Sequence, residues 1–306
     1  MKGLLYMSDQ RRPVRAVVFS LVPEFVKAFD QLLASRGDRL VGLVAAPGPK
    51  TRRTDEYRAM VEFARPGLDV IVSNFPHRWA DMIRPIKPDV IFCTGFNWKI
   101  PDDVIDLPPL GTVNAHDGHL PKYRGRNATG WALRTGEPGY GASFHRMTSE
   151  FDRGPILAQN PMTIADDEDI EDLLPRFEQT AWDTLAEAYD RVVEGFPGNP
   201  QDESEATEAG GEFEPEWREI DWNKPARDVF FQIRSWCGMR GVPRGAYGEI
   251  DGQRSLITRA KPVNESIAVD GVRPGTVIAR DDTGLLVQCA DQPLRVMQWE
   301  PADDNS

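Results

Sequence analysis

The stretch VNAHDGHLPKYRGRN, residues 113–127, gathers two of the chain's four histidines, two amides, a carboxylate and three cationic side chains around a Gly-His-Leu-Pro turn. Residues 111–114 just before that turn read as a short strand. Asn114 and His116 lie two apart at its end, so a strand conformation projects both to one side. Upstream, residues 14–19, 40–45, 68–72 and 90–93 repeat the same β-branched and apolar character, the signal of buried strands. Helix-length segments fall between them: one led by Pro23 and closed by Gly37, one starting at Thr54, and a shorter one at residues 77–84. Strands alternating with helices predict an α/β fold with a doubly wound, mostly parallel sheet, which binds ligands at the carboxyl ends of its strands. The opening motif falls at such an end.

Downstream, residues 141–147 and 156–159 are short strand candidates. Leu173, Phe177, Ala181, Leu185, Ala188 and Val192 recur at helical spacing through residues 170–195, where glycines and prolines stop the helix. The acidic, glycine-containing stretch after Pro200 reads as a linker. Beyond it, a short amphipathic helix is followed by brief strands separated by Asp-Gly and Asp-Asp-Thr-Gly turns, the pattern of a small β-barrel of OB type. The expected organisation is a catalytic domain over 1–200, a linker over 201–215 and an OB-like C-terminal domain over 216–306.

A chain of 306 residues, 40% hydrophobic and 27% charged, is an ordinary globular sequence. No run reaches the roughly 18 apolar residues of a membrane span, and the N-terminal stretch is too polar for a signal peptide, so a cytoplasmic protein without a membrane partner is expected. Cys93, Cys237 and Cys289 are widely separated in apolar surroundings and read as buried thiols. A net charge of −12 argues against a broad positive field for nucleic acid. Nothing in the sequence sets the oligomeric state.

An Asn, a His and a carboxylate brought together at strand ends suit acyl transfer: amide and imidazole hold a developing oxyanion while the carboxylate orients the ring. Asp152, in FDRGPI, supplies a carboxylate where a loop meets a strand. Each of the three residues taken alone also fits an ordinary turn. A metal on His116, Asp117 and His119 is disfavoured, because Gly118 and Pro121 break the spacing and no fourth ligand is near. Tyr123, Arg124 and Arg126 either bind an anionic acceptor or pair with the chain's many acids. Trp98 reads equally as core or as part of a binding loop, and His145 as an acceptor contact or as packing.

The order NAHDGHLPKYRG, GWALRTGEPGYGASFHRM, FDRGPILAQ resembles the folate-dependent formyltransferase family, whose pattern runs N-x-H-P-S-L-L-P-x-Y-R-G, then G-x-T-x-H and D-x-G-x-I. The resemblance covers nearly the whole chain. SLVPEF, where a dinucleotide-binding fold would carry GxGxxG, matches the family's first helix, and the segments around IDW and RPGTVI are similar to the small C-terminal domain of methionyl-tRNA and some amino-sugar formyltransferases. It implies that Asn114, His116 and Asp152 are catalytic and that 10-formyltetrahydrofolate is the donor, with no metal required. Phe96, Asn97, Trp98, Ile100 and Leu120 are implied as the folate side, and Tyr123, Arg124, Arg126 and His145 as the acceptor side.

Two departures bear on the acceptor. Asp117-Gly118 replaces the usual Pro-Ser, which resembles members acting on small amines. PGPKTRRTDEY keeps Lys50, Arg52 and Arg53 but lacks the glycine pattern of the loop with which tRNA enzymes enter the acceptor arm. From Glu214 onward the chain also carries three more acids than bases. The expected acceptor is therefore a small-molecule amine, an amino-sugar nucleotide or a hydroxyornithine type, with methionyl-tRNA as the runner-up and a formyltetrahydrofolate hydrolase as a further rival.

Overall fold

A computed structural model describes residues 11–46, 54–96, 98–136, 139–237, 244–263 and 271–302. Asn97 and the basic trio Lys50, Arg52 and Arg53 lie outside the described residues. The chain divides into two compact units.

The first unit comprises residues 1–115, 146–149 and 189–196. It carries β1 (Arg15–Ser20), α1 (Pro23–Ser35), β2 (Arg39–Ala45), α2 (Thr54–Val61), β3 (Asp69–Val72), α3 (Trp79–Ile83), β4 (Val90–Thr94), α4 (Asp102–Ile105) and most of β5 (Thr112–His116). The strands pair in the order β3-β2-β1-β4-β5, every pairing parallel. Parallel strands are covered on both faces and so read as continuous apolar runs. Alternate residues of β1 and β4 therefore belong to different layers. Val17, Phe19, Ile91 and Cys93 join Trp79, Ile83, Ile100 and Val104 on one side. On the other, Phe92 packs against Phe29 of α1 with the rings tilted and their centroids 4.6 Å apart, and Phe29 meets the edge of Tyr189 at 6.0 Å. Burying a phenylalanine of this kind contributes about 1.5–3 kcal/mol. This is the doubly wound arrangement expected.

The second unit comprises residues 116–145, 150–188 and 197–306. It contains α5 (Ala128–Thr135), an antiparallel pair formed by β6 (Gly139–Arg146) and β7 (Ile156–Thr163), most of α6 (Ile170–Val193), α7 (Ala226–Cys237), and β8 (Ala246–Ile250), β9 (Gln253–Pro262), β10 (Val277–Asp281), β11 (Gly284–Gln288) and β12 (Pro293–Pro301). The last five form an antiparallel sheet in the order β10-β11-β12-β9-β8, the small C-terminal β structure foreseen from the turn spacing.

One apolar cluster runs through this unit, from Ala132, Tyr140 and Phe177 to Phe230, Phe231, Ile257 and Val296. Gly136 marks the closest approach within it. A Cβ there would sit 2.1 Å from the Phe231 ring, and the φ of +64° that ends α5 favours glycine as well. Arg234, only 1% exposed, crosses the same seam. Its Nε donates to the Leu133 carbonyl at the end of α5, Nη1 donates to the carbonyls of Ala165 and Glu168, and the guanidinium lies 3.7 Å from the Phe231 ring. Burial pushes its pKa down to about 10. The acids before α6 are also occupied: Asp169 caps the amides of Glu171 and Asp172 and pairs with Arg259 of β9 at 2.9 Å. Among the described residues no helix is long and apolar enough to cross a membrane.

Candidate active site

β5 carries Asn114, half-buried, and His116, buried. After it the chain turns through Gly118 to Tyr123, with the Leu120–Pro121 peptide cis. Ser143 of β6 and Gln159 of β7 brace this turn from beneath. The Ser143 hydroxyl donates to the Gly118 carbonyl at 2.6 Å and accepts from the Leu120 amide at 3.0 Å, while Gln159 Nε2 donates to the Leu120 carbonyl at 2.6 Å.

Asp152 sits in the loop before β7 in a left-handed backbone conformation, φ +53°. For a residue other than glycine this costs on the order of 1–3 kcal/mol and persists only where surrounding contacts over-determine it. Those contacts converge on the carboxylate. Oδ1 is 3.3 Å from His145 Nε2, and Oδ2 accepts the Gly125 amide at 2.8 Å and faces His116 Nδ1 at 3.6 Å. Burial alone would raise the acid's pKa. The hydrogen bond from His145, the two imidazoles and the Gly125 amide outweigh it and hold the pKa well below the usual carboxylate range, so Asp152 is ionised wherever the protein is folded near neutrality. On the far side of the ring, His116 Nε2 lies 2.8 Å from the Tyr123 carbonyl. A carbonyl only accepts, so this nitrogen carries a hydrogen, the form in which it can donate to an oxyanion.

The structure thus brings His116 and Asp152 together and adds His145, which is 2% exposed and sits where the β6–β7 register shifts past Leu157 of β7. His145 touches the carboxylate itself. Tyr123 is buried in the core, its hydroxyl 3.0 Å from Thr135 Oγ1, and its φ of +56° aims its carbonyl at His116. Arg124, fully buried, is gripped by Gln201 and Glu203; Arg126 is exposed, 3.4 Å from Glu212. Of the two readings left open for these arginines, pairing with the acids after Pro200 is the arrangement present.

Leu120 is buried, its backbone fixed by Ser143 and Gln159. In the first unit, Ile100 is 2% exposed within the apolar layer. Phe96 meets the edges of Phe19 and Trp79 at 5.3 and 5.4 Å, and Trp98 meets Trp79 at 6.3 Å. Among the described residues, Trp98 Nε1 is buried with no hydrogen-bond partner. Ser143, Gln159 and Gln201 are the supporting residues that sequence reading missed. Neither a strand serine nor a glutamine in an acidic stretch carries a periodic or motif signal.

A buried imidazole and carboxylate at the end of a β-strand, beside an asparagine, define an α/β protein equipped to move an acyl group. The chain belongs to the formyl transferase family: the family's model matches residues 24–189, and that of its C-terminal domain matches residues 213–306. It is 32% identical over 295 residues, 94% of this chain and 89% of its relative, to the methionyl-tRNA formyltransferase of Pelobacter propionicus. In fold it is similar to HypX from Aquifex aeolicus in complex with tetrahydrofolic acid, with a TM-score of 0.68 and 19% identity over 95% of this chain and 44% of that one. A sugar N-formyltransferase from Shewanella is also similar, with a TM-score of 0.63 and 16% identity over 82% of this chain and 99% of that one. At these identities the two solved structures speak to fold alone.

The sequence relatives correct one expectation. The acceptor expected from the sequence is a small-molecule amine, yet three curated relatives matching 93–94% of the chain are methionyl-tRNA formyltransferases. A net charge of −12 averages over the whole surface, whereas recognition of a polyanion depends on where a few cations sit.

Proposed function

We propose that this formyltransferase moves a formyl group from 10-formyltetrahydrofolate to the amino group of methionyl-tRNA. The observation that carries the acceptor is the 32% identity with a methionyl-tRNA formyltransferase along 94% of the chain. The donor is supported by the family and by Trp98 Nε1, a buried donor without an acceptor among the described residues, which suits a heterocycle rich in acceptors held near residues 96–100. When bound, the donor supplies the formyl carbon for attack by a neutral amine, and its N10 leaves with the proton the amine gives up.

The chain's own residues then have separate tasks. Asn114 donates its side-chain amide to the formyl oxygen as that oxygen gains charge, and His116 does the same through the Nε2 hydrogen that rests on the Tyr123 carbonyl. Asp152, ionised and facing Nδ1, fixes the ring's orientation.

The test is to incubate the protein with 10-formyltetrahydrofolate and methionyl-tRNA and to read the ester-released amino acid by mass. N-Formylmethionine is the expected product. Formate release without a formylated acceptor, or formylation of amino-sugar nucleotides while methionyl-tRNA stays unmodified, would refute the reading.

A further inference from the structure

Asp152 keeps a left-handed backbone at the point where its carboxylate must face His116, and the groups that hold that backbone come from outside its own loop. Gln201, in the acidic stretch after Pro200, uses both ends of its side-chain amide there. Its Nε2 donates to the carbonyls of Asp152 at 2.7 Å and Gly154 at 2.9 Å, on either side of Arg153. Its Oε1 accepts from Nε and Nη2 of Arg124 at 3.0 and 2.7 Å. Only one orientation of the amide satisfies two carbonyls at one end and a guanidinium at the other.

Arg124 is in turn the fixed point of the opposite loop. Besides Gln201 it grips Glu203 through both terminal nitrogens at 2.8 and 2.7 Å. Its own amide donates to the Thr207 carbonyl at 2.9 Å, and its carbonyl accepts from the Ala209 amide at 2.6 Å. The residues flanking Arg124 supply the two backbone groups of the site: the Tyr123 carbonyl against His116 Nε2 and the Gly125 amide on Asp152 Oδ2. One glutamine amide therefore ties the loop that carries the carboxylate to the loop that receives it.

We propose that Gln201 is a positioning residue for the reaction. It holds the Asp152 backbone and the Arg124 loop in register, so that the carboxylate meets His116 Nδ1 and the Gly125 amide together. This rests on the reading of Asp152 as part of the active site.

The experiment compares Gln201→Glu, which keeps an acceptor for Arg124 but loses both donors to the Asp152 loop, in the parent and in an Asp152→Asn background. A displaced carboxylate should lower kcat by about tenfold or more while KM for donor and acceptor moves by less than about threefold. The substitution should add nothing once Asp152→Asn has removed the charge it positions. A merely structural role would lower the melting temperature and leave kcat per folded molecule unchanged.

Folded Gln201→Glu with kcat within about twofold of the parent, or with its full effect retained beside Asp152→Asn, overturns the proposal. If Gln201→Glu does not accumulate in folded form, Gln201→Asn, one methylene shorter with the same donors and acceptor, takes its place with the same two criteria and a smaller expected fall. Parent-like turnover by Asp152→Asn itself would instead sink the active-site reading. A dead Asp152→Asn beside fully active Gln201 variants sinks this inference alone.

Discussion

The parallel strands of the first unit and the turn region of the second, residues 116–145 and 150–154, are organised on different principles. In the strands almost everything buried is apolar: Val17, Val18, Phe19, Ile91 and Phe92 have no exposed surface, and the rings of Phe29 and Trp79 close the two sides. In the second region polar groups, His116, Arg124, Ser143 and His145, are buried among the apolar ones, and among the described residues three other than glycine, Tyr123, Asn127 and Asp152, hold positive φ. The first arrangement gains free energy by removing hydrocarbon from water. The second spends some of it to fix donors and acceptors where a reaction needs them, and it holds only because every strained or desolvated group has a partner.

The contrast predicts that substitutions in the two regions fail differently. The largest effect belongs to the site: Asp152→Asn keeps the shape of the side chain but removes the charge facing His116, and kcat/KM for formyl transfer should fall by about 100-fold or more while the fold survives. A similar loss accompanied by unfolding would place Asp152 with the core instead. Next comes the reverse case. Phe29→Ala removes a ring packed between Phe92 and Tyr189 and should cost about 3–5 kcal/mol in chemical denaturation, with turnover per folded molecule unchanged.

Smaller still is the acid limb of stability. A carboxyl whose folded pKa is depressed contributes stability that is fully present above its unfolded value, near 3.9, and is lost as pH falls through the folded one. The stability difference between the parent and Asp152→Asn should therefore shrink below about pH 4, as read by urea titrations across the acid range. A difference constant to pH 3 or so would contradict the ionised, multiply bonded carboxylate. The smallest effect is a null. Burial pushes the thiols of Cys237 and Cys289 up to about 12, so a disulfide reagent at about pH 8 should leave both unmodified in the native protein and label them on unfolding.

The same contrast explains what the sequence made legible. Parallel strands buried on both faces announce themselves as apolar runs, and β1, β2, β3 and β4 begin and end within one or two residues of those runs. Helix α1 was framed by Pro23 and Gly37 because capping geometry restricts residue type locally. β7 extends to Thr163, past the apolar run at 156–159, because its remaining residues are held by pairing to β6 rather than by hydrophobic pattern. Within the site, His116 and Asp152 stood out through the order of motifs. Their support did not. Whether Arg124 faced a ligand or an acid depended on Gln201 and Glu203, nearly eighty residues away, and no periodicity connects such positions. The acids after Pro200 looked like a solvated connection, and they are bonded instead to Arg124, Arg126 and Arg153.

The claim on which the account turns is that the imidazole of His116, held between Asp152 and the Tyr123 carbonyl, speeds formyl transfer to methionyl-tRNA. Its most direct test is the single-turnover rate of N-formylmethionyl-tRNA formation by His116→Ala beside the parent, with both donor and acceptor saturating and both proteins shown to melt alike. The account predicts a rate lower by about 100-fold or more. A rate equal to that of the parent would contradict it.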